Sequence, residues 1–112
     1  MDDTDRAVLK DALRFWGIDA QEMMLVEETG ELLHALARRH RCHSQGEYEQ
    51  RKAALIEEVA DVQVMLDQFT LTLGEDAVHE QYARKMARLR GKLQVYKEKE
   101  PGREHIDLDK FM

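Results

Sequence analysis

Apolar residues recur every three or four positions along most of this chain, and the recurrence breaks at a few helix-stopping residues, a pattern that predicts four helices. Val8, Leu9, Leu13 and Trp16 form the apolar face of the first, which is expected to open at Thr4 as N-cap and to stop at Gly17. Asp19 with Glu22 three residues on is a variant capping box, so a second helix is expected from there to about Arg39 or His40. Ser44 and Glu47 repeat the signal and open a third helix that runs to Leu73 and stops at Gly74, leaving residues 40–46 as the connecting loop. Val78, Tyr82, Met86, Leu89 and Leu93 keep helical spacing across a fourth helix over 76–96. Beyond Lys97 the periodicity ends, and Pro101-Gly102 predicts an extended tail.

Two acidic clusters interrupt the apolar stripes of the second and third helices: Glu27-Glu28-Thr29-Gly30-Glu31 and Glu57-Glu58-Val59-Ala60-Asp61. On a wheel of about 100° per residue, Leu55, Val62, Met65, Leu66 and Phe69 fall within roughly 80° of Glu58, and Asp61 lies roughly 60° to the other side. Around Glu28 the same construction places Met24, Leu25, Leu32 and Ala35, with Glu31 again roughly 60° away. Glu28, Glu31, Glu58 and Asp61 are therefore expected on the core face. Carboxylates there are costly unless paired, because ionised groups lose their hydration and repel one another. Antiparallel second and third helices would bring the four acids together, and a divalent cation would resolve the conflict. Hard oxygen donors suit Mg²⁺, with Mn²⁺ as the alternative, better than Zn²⁺ or Cu²⁺; Mg²⁺ in such sites completes its shell with water and substrate phosphates.

Composition narrows the picture to an all-α protein. Charged residues make up 36% of the 112 residues, and there is one proline. One helical domain over 1–97 with a tail over 98–112 is expected, as an antiparallel bundle of about four helices. The apolar core of such a short chain is limited, so a homodimer or homotetramer is expected to complete it. No apolar run reaches membrane-spanning length and the first residues are acidic, which predicts a cytoplasmic protein without a membrane partner. Cys42 is the single cysteine, so no internal disulfide forms, and a net charge of −6 argues against stable nucleic-acid binding.

The pattern E-E-x-x-E at Glu27, Glu28 and Glu31, followed by E-x-x-D at Glu58 and Asp61, resembles the signature of MazG-like nucleoside triphosphate pyrophosphohydrolases of the all-α NTP pyrophosphatase superfamily. The segments QEMMLVEETGELL (21–33), IEEVADVQVMLDQ (56–68) and KMARLRGKL (85–93) are similar to short phage and bacterial chains of this kind, so the resemblance covers roughly residues 13–95. It implies Glu28, Glu31, Glu58 and Asp61 as Mg²⁺ ligands, and Glu27 as a further ligand or a water-activating base. It also implies Lys85 and Arg88 as phosphate contacts. The reaction implied is cleavage of a ribo- or deoxynucleoside triphosphate to the monophosphate and pyrophosphate, suited to house-cleaning of the nucleotide pool. A homo-oligomer is implied as well.

Other readings compete with these. Glu31 to His34 is an E-x-x-H of the kind found in di-iron carboxylate oxidases, but a second E-x-x-H is missing, and Asp61 stands at the matching place. A non-catalytic helical metal-binding or regulatory module is the third class. Glu27 and Glu57 lie about 100° from their neighbouring ligands, which suits a surface role equally well. Lys85 and Arg88 belong to a charged run whose default is a solvated helix face. His40, Cys42 and His43 fit no common zinc spacing and read as a polar loop. Trp16 offers a platform for a nucleobase, as do Phe15 and Tyr82, although core packing is the preferred reading of all three.

Overall fold

The computed structural model describes residues 1–103, which form four helices, α1 (Asp3–Trp16), α2 (Ile18–His40), α3 (Gln45–Leu73) and α4 (Glu75–Lys99), with no strand among the described residues. The N-cap of α1 lies two residues before the expected one. The Asp2 carboxylate accepts the Asp5 N–H at 2.7 Å, which places Thr4 inside the first turn beside Asp3 and Asp5, where acids complement the helix dipole. Gly17, at φ 90°, ends α1 and serves as the N-cap of α2. Its positive φ turns the chain in a single residue, so Asp19 lies in the first turn of α2 and does not cap it.

The S-x-x-E signal is realised. Ser44 Oγ accepts the Glu47 N–H at 3.1 Å, and Glu47 Oε2 accepts the His43 N–H at 3.2 Å, one residue earlier than in the standard reciprocal box. The loop contracts to residues 41–44 because α2 runs through His40 and α3 starts at Gln45. Gly74, at φ 105°, ends α3. Helix α4 continues to Lys99, past the expected end near Tyr96, and residues 104–112 of the expected tail lie outside the described residues.

Residues 1–74 form one compact unit. Helices α2 and α3, joined by residues 41–44, pack on each other, and Glu31, Ala35 and Arg38 of α2 line one pocket with Arg51, Ala54 and Glu58 of α3, so the second helix runs back along the first. This is the antiparallel register. The least exposed positions of α2 are Gln21, Leu25, Glu28, Leu32, Ala35 and Arg39; those along the matching line of α3 are Arg51, Leu55, Glu58, Val62, Met65 and Phe69. Both runs alternate steps of four and three, the spacing of a narrow coiled-coil seam. Helix α1 joins this pair through Leu9, which is buried, and through Gln68, whose Nε2 donates to the Leu9 carbonyl at 3.4 Å.

A seam is narrower than the stripe expected from the sequence. Leu9 and Met65 are the buried apolar residues among those described, whereas Val8, Trp16, Met24 and Leu66, all expected on core faces, are exposed. The second unit begins at Glu75, and from His79 to Arg103 its side chains are exposed. Helix α4 is supported locally by an Arg84–Glu80 ion pair at 2.7 Å and a Gln94–Glu98 hydrogen bond at 3.2 Å. No described helix is long and apolar enough to cross a membrane.

Candidate functional site

The seam places Glu28 on α2 and Glu58 on α3 in the half-buried layer between the helices, and Glu31 joins them one turn along α2. Their carboxylate oxygens lie within 4.8 Å of one another. Glu28 Oε2 and Glu58 Oε2 are both shielded from solvent and have no hydrogen-bond partner. Two orphaned, shielded carboxylate oxygens beside a third acid are a group that could hold a metal cation.

The electrostatics agree with the geometry. Glu28 is held above the ordinary glutamate pKa first by loss of hydration and then by the charges of Glu31, Asp61 and Glu58. Glu58 is raised in the same way, by desolvation first and then by Glu31 and Asp61, with a smaller contribution from Glu57. Glu31 and Asp61, both expected on the core face, are instead exposed; Asp61 stands outside the group of three, yet is near enough for its charge to act on both half-buried acids. Glu27 and Glu57 are exposed, as their wheel positions predict.

A pocket of about 150 Å³ opens beside the carboxylates, lined by Glu31, His34 and Arg38 of α2 and by Arg51, Ala54 and Glu58 of α3. Arg51 Nε is shielded from solvent without an acceptor, and among the described residues neither Arg51 nor Arg38 forms an ion pair with the acids beside it. Sequence reasoning passes over Arg51 because the acidic motif dominates. The signal is nevertheless there: seven residues before Glu58, Arg51 falls only about 20° from it on the wheel.

Lys85 and Arg88 are exposed on α4, in the second unit. The preference for core packing of the aromatics is corrected: Trp16 is 61% exposed, Phe15 81% and Tyr82 67%. Phe15 and Trp16 pack edge-to-face on each other at the end of α1, with centroids 5.2 Å apart. Trp16 also forms a wall of an open hollow of about 400 Å³ with Ala20, Gln21 and Met24. In the loop, Cys42 Sγ lies 3.6 Å from the Arg38 carbonyl, and His40, Cys42 and His43 form no metal-ligating group among the described residues. Comparison with known family models, curated proteins and solved structures finds no match for this chain.

Proposed function

We propose that this protein is a Mg²⁺-dependent nucleoside triphosphate pyrophosphohydrolase of the MazG-like kind, cleaving ribo- or deoxynucleoside triphosphates to monophosphate and pyrophosphate. The observation that carries the reading is the convergence of Glu28, Glu31 and Glu58 within 4.8 Å, two of them with shielded, unpartnered oxygens. The E-E-x-x-E and E-x-x-D pattern supplies the reaction class. A bound Mg²⁺ or Mn²⁺ would neutralise the triphosphate and acidify a water molecule.

The chain's own residues then have distinct tasks. Glu28, Glu31 and Glu58 hold the cation, and Asp61 adds negative charge or a fourth oxygen. Glu27, exposed beside Glu28, would serve as a further ligand or take the proton of the attacking water. The resemblance implies phosphate contacts for Lys85 and Arg88, and an aromatic ring such as that of Trp16 could stack on a nucleobase. The exposed apolar residues of the first unit, Val8, Ile18, Met23, Val26 and Leu33 among them, favour a homodimer or homotetramer, and a cytoplasmic role in nucleotide-pool house-cleaning fits the reaction.

Mn²⁺ titration followed by electron paramagnetic resonance tests the site together with turnover. Wild-type protein should bind the ion and hydrolyse nucleotide, and Glu58→Gln should lose both. Binding without turnover on any nucleotide would replace the enzyme reading with that of a metal-binding module.

A further inference from the structure

Arg51 occupies a seam position of α3 that its neighbours on that line, Leu55, Val62, Met65 and Phe69, fill with apolar side chains. An arginine there is unexplained by packing alone. Its Nε is shielded from solvent and has no acceptor, although Glu58 and Glu31 line the same pocket. The acids and the guanidiniums of Arg51 and Arg38 thus share one cavity without neutralising one another, which leaves the first set for a cation and the second for an anion. Guanidinium forks match phosphate oxygens in a way a lysine does not.

The size of the cavity limits what enters. At about 150 Å³ it is smaller than the roughly 300–1,000 Å³ of pockets that enclose whole drug-sized ligands, a size that suits a phosphate group or two better than a whole nucleotide. Along α2, Met24, Glu31 and Arg38 stand one heptad apart, about 10 Å per interval, and within about 40° of one another on the wheel. The apolar hollow walled by Trp16 and Met24, the carboxylates, and the two arginines therefore follow one another along a single flank.

We propose that Arg51 and Arg38 anchor the terminal phosphates of the substrate, so that the nucleotide lies along this flank of α2 with its polyphosphate end toward the α2–α3 loop and its base end toward Trp16. The inference rests on the nucleotide reading above. Recognition at the arginine pocket is then indifferent to the base, and the anionic end is held within residues 1–74.

Calorimetric titration of the full chain with magnesium tripolyphosphate, which has no base, tests the proposal. Wild-type protein should bind it; Arg51→Ala should weaken binding about tenfold or more, and Arg51→Lys should fall between the two. Trp16→Ala should leave tripolyphosphate binding unchanged while weakening binding of the whole nucleotide. The helical circular dichroism of each variant establishes that it is folded, and the lysine variant carries the test if the alanine variant is not. Equal binding by wild type and the Arg51 variants, or no binding by wild type, overturns the proposal. Retained wild-type nucleotide turnover in either case confines the failure to the arginine anchor, whereas absent turnover removes the nucleotide reading itself.

Discussion

Arg51 and Glu58 stand one heptad apart on the half-buried seam of α3, and each carries a shielded polar atom with no hydrogen-bond partner. A cationic and an anionic group in the same seam, both unsatisfied, is costly for a free-standing helix pair and would serve the metal polyphosphate site proposed above. The stability of the fold and the chemistry of the site therefore pull in opposite directions, and the difference is measurable.

Glu58→Gln removes one member of the acid group while keeping its shape. Mn²⁺ affinity and turnover should each fall by roughly a hundredfold or more if the residue is the direct ligand proposed above. Thermal unfolding in chelator should occur at the same or a higher temperature than for wild type, because one half-buried charge has gone. A large drop in melting temperature with unchanged metal affinity would assign Glu58 a structural role.

The pH dependence of the metal-free protein follows from the same acids. Glu28 and Glu58 have folded pKa values above the ordinary 4.5, so the folded state holds their protons more tightly than the unfolded state does. Their destabilising effect is complete above the raised pKa and disappears as pH falls through it toward 4.5. In chelator, the melting temperature of wild type should therefore rise on acidification from neutrality toward that value, and the rise should shrink in Glu58→Gln. Metal affinity should change the other way, falling with pH as protons compete. A wild-type melting temperature in chelator that falls steadily over this range contradicts the assignment.

Gln68 is 2% exposed and ties α3 to the Leu9 carbonyl of α1. Gln68→Ala removes that bond and leaves a void, so a loss of about 1–3 kcal/mol is expected in denaturant unfolding. Amide hydrogen exchange should accelerate first in α1. Uniform acceleration across α1, α2 and α3 would show that Gln68 supports the unit as a whole.

The apolar surface left outside the seam predicts self-association. Light scattering at micromolar concentration should give a mass of at least two chains, and substitution of Val26 and Leu33 by serine should lower it. A monomer in wild type would mean these residues face solvent or another partner.

Much of this architecture is legible in the sequence. Gly17, Ser44 with Glu47, and Gly74 mark helix ends through backbone chemistry that acts locally, and the structure uses all of them. The wheel correctly places Glu28 and Glu58 in the layer between helices, because the four-three spacing of Leu25, Leu32, Leu55 and Val62 is a property of each helix alone. What local pattern cannot supply is the width of the packed stripe. Met24 and Leu66 look like core on the wheel, yet a seam between two helices covers less of each than a broad bundle interior, and they are exposed. Asp2 displaces Thr4 as the first cap because a carboxylate one turn upstream reaches the Asp5 amide. Arg51 was visible at its wheel position, but only the unpaired Nε and the adjoining pocket give it a meaning.

The most direct test of the central claim is product analysis by anion-exchange chromatography on a panel of ribo- and deoxynucleoside triphosphates, with Mg²⁺, with Mn²⁺ and with chelator. The account predicts metal-dependent release of monophosphate and pyrophosphate with no diphosphate. Release of diphosphate and orthophosphate, or no turnover of any nucleotide with either metal, would contradict it.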